Sequence, residues 1–328
     1  MSKTPTPMIS ADKICGCLLG LMCGDALGAP IEFHTPEDLR QKYPKGISDM
    51  VSDWNFTNCR KKGEITDDSE MAIALLRSLV NAKGFSAEEA HTQYLHWLRT
   101  GPSDVGITIS GALRGKKNPQ SQANGALMRI APLAIYAALH PECDWIAAAA
   151  EDCRITHIHP RCEAANIIYV ESLILALRGC SPQDIYEAAC KRADELGDAA
   201  LAERLRLAAT EEPTYYPMVG WVEIAFHCTY YWLLHAADYR SAMCAIVNRI
   251  GDPDTNAAIA GALLGAVFGS SGIPEGWQEA VLEFPNYRPQ EYRATTAMQL
   301  LEELHGAPLT TQNKAGILQR VFQFFSRR

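Results

Sequence analysis

Glycine recurs every fourth residue in two apolar stretches near opposite ends of this chain. Gly16, Gly20 and Gly24 stand in Gly-Cys-Leu-Leu-Gly-Leu-Met-Cys-Gly, and Gly261, Gly265 and Gly269 in Gly-Ala-Leu-Leu-Gly-Ala-Val-Phe-Gly. On a helix this spacing places the three glycines on one face. Each glycine costs a helix about 1 kcal/mol against alanine, and close backbone approach is the compensation that would retain it. Both stretches are therefore expected to be helices that pack closely. The spacing leaves two arrangements open: they pack on each other, or they form two independent seams.

The rest of the chain reads as helix. Apolar periodicity marks Asp68 to Val80, opened by an acidic, hydroxyl-rich cap, and Ser86 to Leu98, with Ser86 as N-cap and Glu88 and Glu89 in the first turn. Further helices are expected at 125–140, 143–153, 160–178, 182–195, 198–209, 219–236, 239–249, 255–269, 289–305 and 314–325. Ala, Leu, Glu and Arg outweigh β-branched residues in most of these segments. Gly101-Pro102, Asn118-Pro119, His159-Pro160, Ser181-Pro182, Glu212-Pro213 and Ile273-Pro274 punctuate them. Long linkers and low-complexity tracts are lacking, so the expectation is one compact all-α domain over residues 1–328, with a flexible segment at 1–10. Trp221, Phe226, Tyr230 and Trp232 are expected in its core.

Charge and cysteine usage narrow the function classes. The net charge of −8 disfavours a protein that grips nucleic acid by its phosphates. The eleven cysteines are scattered, odd in number and without a Cys-x-x-Cys pair, which points to buried free thiols in a reducing cytoplasm rather than to disulfides or a soft-metal site. The polar, proline-broken N-terminus does not have the pattern of a signal peptide. The uncharged stretch from Asn256 to Ile273 is short for a membrane span and carries four glycines, so a buried core helix is expected and no membrane partner.

Two acidic motifs bear the chemistry: Thr66-Asp67-Asp68-Ser69 and Asp252-Pro253-Asp254-Thr255, each at the start of a helical run. Their simplest role is capping, since Thr and Asp satisfy the free N–H groups of a first turn. Together, however, four carboxylates and two threonines form an all-oxygen ligand set suited to hard cations such as Mg²⁺ or Mn²⁺. If folding joins them, they can hold two divalent cations and activate a water.

Five motifs in order carry a resemblance: Gly24-Asp25-Ala26-Leu27-Gly28-Ala29-Pro30-Ile31-Glu32, Thr66-Asp67-Asp68-Ser69, Asn124-Gly125-Ala126-Leu127-Met128-Arg129-Ile130-Ala131-Pro132, Thr156-His157 and Gly251-Asp252-Pro253-Asp254-Thr255-Asn256-Ala257-Ala258. From about residue 12 to 280 the chain resembles the ADP-ribosylglycohydrolase family. The resemblance implies an all-α fold with a binuclear Mg²⁺ or Mn²⁺ site in a central cleft. By matching motifs, Thr66, Asp67 and Asp68 would be ligands from one side, and Asp252, Asp254 and Thr255 from the other. Glu32 would approach the metals and the distal ribose. Asp104 would be the acid that arginine-directed members use near the scissile bond. The loop Asn124, Gly125, Ala126, Leu127, Met128 would hold ribose and phosphate, with His157 beside the ADP-ribose. Three departures stand out: Ser69 where many members have Thr, Ala123 where Gly often precedes Asn-Gly, and Pro253 where Thr is common.

The function implied is hydrolysis of the N-glycosidic bond between ADP-ribose and an arginine side chain of a protein, with ADP-ribose as product. Glu32 or Asp104 would serve as base toward water or as acid toward the leaving group. Other linkages in the same class are O-linked ADP-ribose on serine, O-acetyl-ADP-ribose and modified nucleic acid. Outside it stand an inactive ADP-ribose-binding protein and a metal-free helical scaffold. The oligomeric state is not legible.

Overall fold

A computed structural model describes residues 9–54, 59–216, 219–285 and 287–309. The expected helix at 314–325, and the expected flexible segment as far as residue 8, lie outside the described residues. In chain order the α-helices are α1 (Ala11–Gly28), α2 (Pro36–Lys42), α3 (Asp67–Ala82), α4 (Ala87–Arg99), α5 (Ile107–Leu113), α6 (Ala131–Leu139), α7 (Trp145–Thr156), α8 (Pro160–Leu177), α9 (Pro182–Leu196), α10 (Ala199–Ala208), α11 (Val222–His235), α12 (Tyr239–Val247), α13 (Pro253–Phe268), α14 (Glu275–Leu282) and α15 (Ala294–His305). Among the described residues the only sheet is an antiparallel pair, β1 (Asp53–Trp54) and β2 (Cys59–Arg60). The fold is all-α, as expected.

The two glycine seams pack on each other. A Cβ on Gly16 would lie 2.6 Å from the carbonyl carbon of Gly269, one on Gly20 would lie 3.0 Å from that of Gly261, and one on Gly24 would lie 2.5 Å from that of Ala257. Such separations leave no room for a side chain, so α1 and α13 run antiparallel at backbone contact. Their ends are pinned as well. Lys13 Nζ donates to the carbonyls of Ala266 and Val267 at the C-terminus of α13, where a cation also suits the helix dipole. Asp12 accepts from the hydroxyls of Ser270 and Ser271. Every residue of α1 from Ile14 to Gly28 is buried. With the turn that follows it, this helix is long and apolar enough to cross a membrane by length and composition, and its apolar part is buried inside the protein.

Local signals placed most boundaries within a few residues, and the departures have local causes. The helix expected from 125 starts at Ala131, because Pro132 suits a first turn, where no N–H is needed, and Asn124 to Ile130 form a tight loop. The run at 289–305 is divided into a short 3₁₀ turn (Gln290–Tyr292) and α15 by the extended backbone of Arg293. The short helices α2, α5 and α14 carried too little periodicity to be read. Ser86 caps α4 by accepting from the Glu89 amide at 3.2 Å. Phe226 and Tyr230 are fully buried, whereas Trp221 and Trp232 are only partly so. All eleven cysteines are free.

Candidate active site

Both acidic motifs are positioned by α1. Near its C-terminus, Asp25 is fully buried and accepts from four donors on the first turn of α3. These are the Thr66 amide (2.9 Å), Thr66 Oγ1 (2.8 Å), the Ser69 amide (3.2 Å) and Ser69 Oγ (2.5 Å). One turn later, Gly28 meets the start of α13, where an added Cβ would lie 2.5 Å from Asp254 Cα. Asp25 thus ties down the first motif and Gly28 admits the second.

This placement excludes the capping role. Thr66 and Asp252 are the N-cap residues of α3 and α13, yet neither side chain makes a cap hydrogen bond. Thr66 Oγ1 instead donates to Asp25 and, at 3.3 Å, to Asp68 Oδ2. Asp68 Oδ1 and Asp254 Oδ1 are buried without any hydrogen-bond partner. Buried carboxylate oxygens in that state are costly unless a cation meets them.

Glu32 completes the cluster. The 3₁₀ turn after α1 (Ala29–Ile31) delivers it, and the next residue, Phe33, takes a left-handed backbone conformation with φ 66°. One carboxylate oxygen from each of Glu32, Asp252 and Asp254 lies within 4.8 Å of the others. Burial first, then Asp104, Asp252 and Asp67, push the Glu32 carboxyl up to about 9. Asp254 is held well above the usual carboxylate range by burial and then by Glu32, Asp68, Asp252 and Asp104. Asp67 and Asp68 are raised likewise, burial again leading. Asp252 is raised less, because Asn124 and Thr255 donate to it. The donor set is all oxygen, crowded and under-neutralised, which fits one or more hard divalent cations and no soft metal.

The 101–106 loop brings Asp104 to this cluster. The Gly106 amide faces the Asp67 carboxylate and favours its charge. Arg288 donates to the carbonyls of Thr100 and Gly101, both at 3.1 Å, and pairs with buried Glu70 at 2.8 Å. Asp104 itself pairs with Arg60 at 2.9 Å.

The expected substrate loop lies across the second motif. Asn124 Nδ2 donates to Asp252 Oδ2 at 2.5 Å, and the Asn124 amide bonds the Gly220 carbonyl at 3.0 Å. Gly125 packs closely here: a Cβ would lie 2.8 Å from Ile109 Cδ1 and 3.3 Å from His157 Cε1, so either side chain would have to shift to admit one. Ala126, Leu127 and Met128 turn their side chains into the core, so the loop offers a ligand its backbone only. The amides of Leu127 and Met128 are already engaged by the Asn124 carbonyl. His157 lies beneath the loop, fully buried, with Nδ1 on Thr156 Oγ1 at 2.8 Å and Nε2 without a partner. Burial, aided by Arg129, pushes it down to about 3, so it is neutral at physiological pH.

Two positioning groups were not legible as such. Asp25 braces another helix, α3, and a lone carboxylate inside an apolar glycine helix was its signal. Arg60 lies in a segment without any motif. Arg129 is fully buried and pairs with Asp152 at 3.2 Å, stacks over Tyr94 at 4.4 Å, and reaches Thr156 Oγ1 at 2.8 Å.

The family model described as ADP-ribosylglycohydrolase matches residues 6–312. The chain is 31% identical over 277 residues to the ADP-ribosyl-(dinitrogen reductase) glycohydrolase of Rhodospirillum rubrum, covering 81% of this chain and 89% of the relative. It is 26% identical over 295 residues to the ADP-ribosylarginine hydrolase Tri1 of Pseudomonas putida (strain GB-1), covering 85% and 76%. A solved structure titled ADP-ribosylglycohydrolase-related protein complex superposes with a TM-score of 0.73 at 26% identity, covering 90% of this chain and 98% of the other.

Proposed function

The chain belongs to the ADP-ribosylglycohydrolase family, and on that premise we propose that it hydrolyses the N-glycosidic bond joining ADP-ribose to an arginine side chain of a modified protein. The observation that carries the reading is the meeting of Glu32, Asp252 and Asp254 within one carboxylate cluster, with Asp67 and Asp104 close enough to raise the Glu32 carboxyl.

Asp67, Asp68, Asp252 and Asp254, with Thr66 and Thr255, would hold two divalent cations, Mg²⁺ or Mn²⁺. When bound, these supply Lewis-acid polarisation and charge neutralisation. The chain's own groups do the rest. The backbone of the Asn124–Met128 loop would hold ribose and phosphate, and the buried, neutral His157 would support that loop from beneath without adding charge. In the reaction the C1″–N bond breaks, a water oxygen bonds C1″, and a water proton passes to the departing guanidine. The transition state carries oxocarbenium character, which the surrounding carboxylates favour. Glu32 and Asp104 are the two carboxyl groups assigned to exchange protons with water and leaving group. A guanidinium leaving group suits Asp104, because carboxylates bind guanidinium by charge-assisted hydrogen bonds.

The test is incubation of the purified protein with an ADP-ribosylated-arginine peptide in Mg²⁺, Mn²⁺ or EDTA, following free ADP-ribose by mass spectrometry. Cation-dependent release is expected. Faster turnover of a serine conjugate measured alongside would overturn the linkage, and release undiminished by EDTA would overturn the cation requirement.

A further inference from the structure

Arg60 is a cation set among the acids of the site. It closes β2 and is only 6% exposed. Nη2 donates to Asp104 Oδ2 at 2.9 Å, and Nη1 donates to Ser103 Oγ at 2.8 Å and to Glu64 Oε1 at 3.3 Å. One guanidinium therefore grips two consecutive residues of the 101–106 loop. Among the described residues only Oδ2 of Asp104 is engaged, and the side chain keeps 24% of its surface open. Arg60 is also the cation that offsets the acids acting on Glu32.

The loop has independent anchors on either side of this grip. Arg288 holds Thr100 and Gly101 on one side, and α5 begins directly after Gly106 on the other. Loss of Arg60 would therefore leave the loop in place and release the direction of the Asp104 side chain.

We propose that Arg60 is a positioning residue for the carboxylate that meets the leaving group: by clamping Ser103 Oγ and Asp104 Oδ2 it orients the other oxygen of Asp104 toward the departing guanidinium. This inference rests on the arginine-directed reading above. A fixed acceptor costs no reorganisation when the leaving group arrives, and lost orientation of such a group is worth orders of magnitude in rate.

The test compares wild type, Arg60→Gln, Arg60→Lys, Asp104→Asn and the Arg60→Gln/Asp104→Asn double variant on the arginine conjugate at saturating Mn²⁺. It adds calorimetric affinity for free ADP-ribose, which lacks the leaving group, and Tm. Arg60→Gln is expected to lower kcat/KM by about 10- to 100-fold, with ADP-ribose affinity and Tm close to wild type. Arg60→Lys, with one charge but no fork, should fall between the two. The double variant should be no slower than Asp104→Asn, because the two residues act as a unit. Wild-type rates in Arg60→Gln would overturn the inference. So would a fully additive double variant, or a joint loss of ADP-ribose affinity and Tm, which would make Arg60 a general scaffold residue. If wild type itself releases nothing from the arginine conjugate, the proposed linkage fails first and takes this inference with it.

Discussion

Asp25 is a carboxylate without access to water, and burial raises its carboxyl to about 6 even with four donors from Thr66 and Ser69 opposing the rise. Such a group is tolerated because its hydrogen bonds are complete, whereas Asp68 Oδ1 and Asp254 Oδ1 have none. That contrast separates an acid satisfied by the fold from acids of the same type left open to a cation. Asp254→Asn should therefore lower activity and cation affinity by at least ~100-fold, yet leave the metal-free protein as stable as wild type or more so, since one charge leaves a crowd. Thermal melts with and without Mn²⁺ check this, and a large Tm loss in EDTA would count against it. Arg129 is the converse case, a buried cation whose removal strands Asp152. Arg129→Ala should cost about 3–5 kcal/mol in urea denaturation. The residue types were legible: acids beside threonines at helix starts pointed to an oxygen-rich cluster, and the fold brings Asp252 and Asp254 together with Glu32. Their partners were not, because Asp25 and Thr66, or Arg60 and Asp104, are joined by no local pattern.

At the scale of elements, the interface between α1 and α13 decides whether a site exists. Gly28 admits the Asp254 backbone, and Glu32 leaves the end of the same helix, so thickening the seam would separate the two motifs. Gly20→Ala places a Cβ against the Gly261 carbonyl, which rigid backbone cannot yield. The expected loss is about 3 kcal/mol, together with weaker cation binding. Gly276→Ala in α14 is the control: nothing lies near its added Cβ, and it should stabilise the fold by up to about 1 kcal/mol. Equal effects of the two substitutions in urea titrations would refute the packing argument. The four-residue glycine spacing identified both helices and the need for close approach. It left their pairing open, because either helix could have met that need with another partner.

For the whole molecule, the pH dependence of stability follows from the cluster. In the metal-free fold the Glu32 carboxyl is raised to about 9 from an ordinary 4.5 by burial, Asp104, Asp252 and Asp67. The folded state then keeps a proton that the unfolded chain releases, so this contribution to stability is lost as pH rises through that window. His157 is lowered to about 3 from 6.5, so it is neutral in both states above about pH 7.5 and does not mask the effect. In EDTA the Tm should fall between about pH 7 and 9. Saturating Mg²⁺ or Mn²⁺ should raise it and flatten the slope, since a ligand bound only by the native state adds stability by mass action. An EDTA melt that is flat over this range, or unmoved by either cation, would remove the cluster as a cation site.

By itself the sequence determined the class of the fold, most helix boundaries, the hard oxygen character of the ligand set and, through its ordered motifs, the family. These are properties of local spacing and residue chemistry, set by neighbours within a few turns. Only the tertiary structure decided that the glycine seams pair with each other, that Asp25 ties α3 to α1, and that Arg60 holds Asp104. Those contacts join residues far apart in the chain, and they depend on how closely backbones approach and which buried charges must be neutralised once they do.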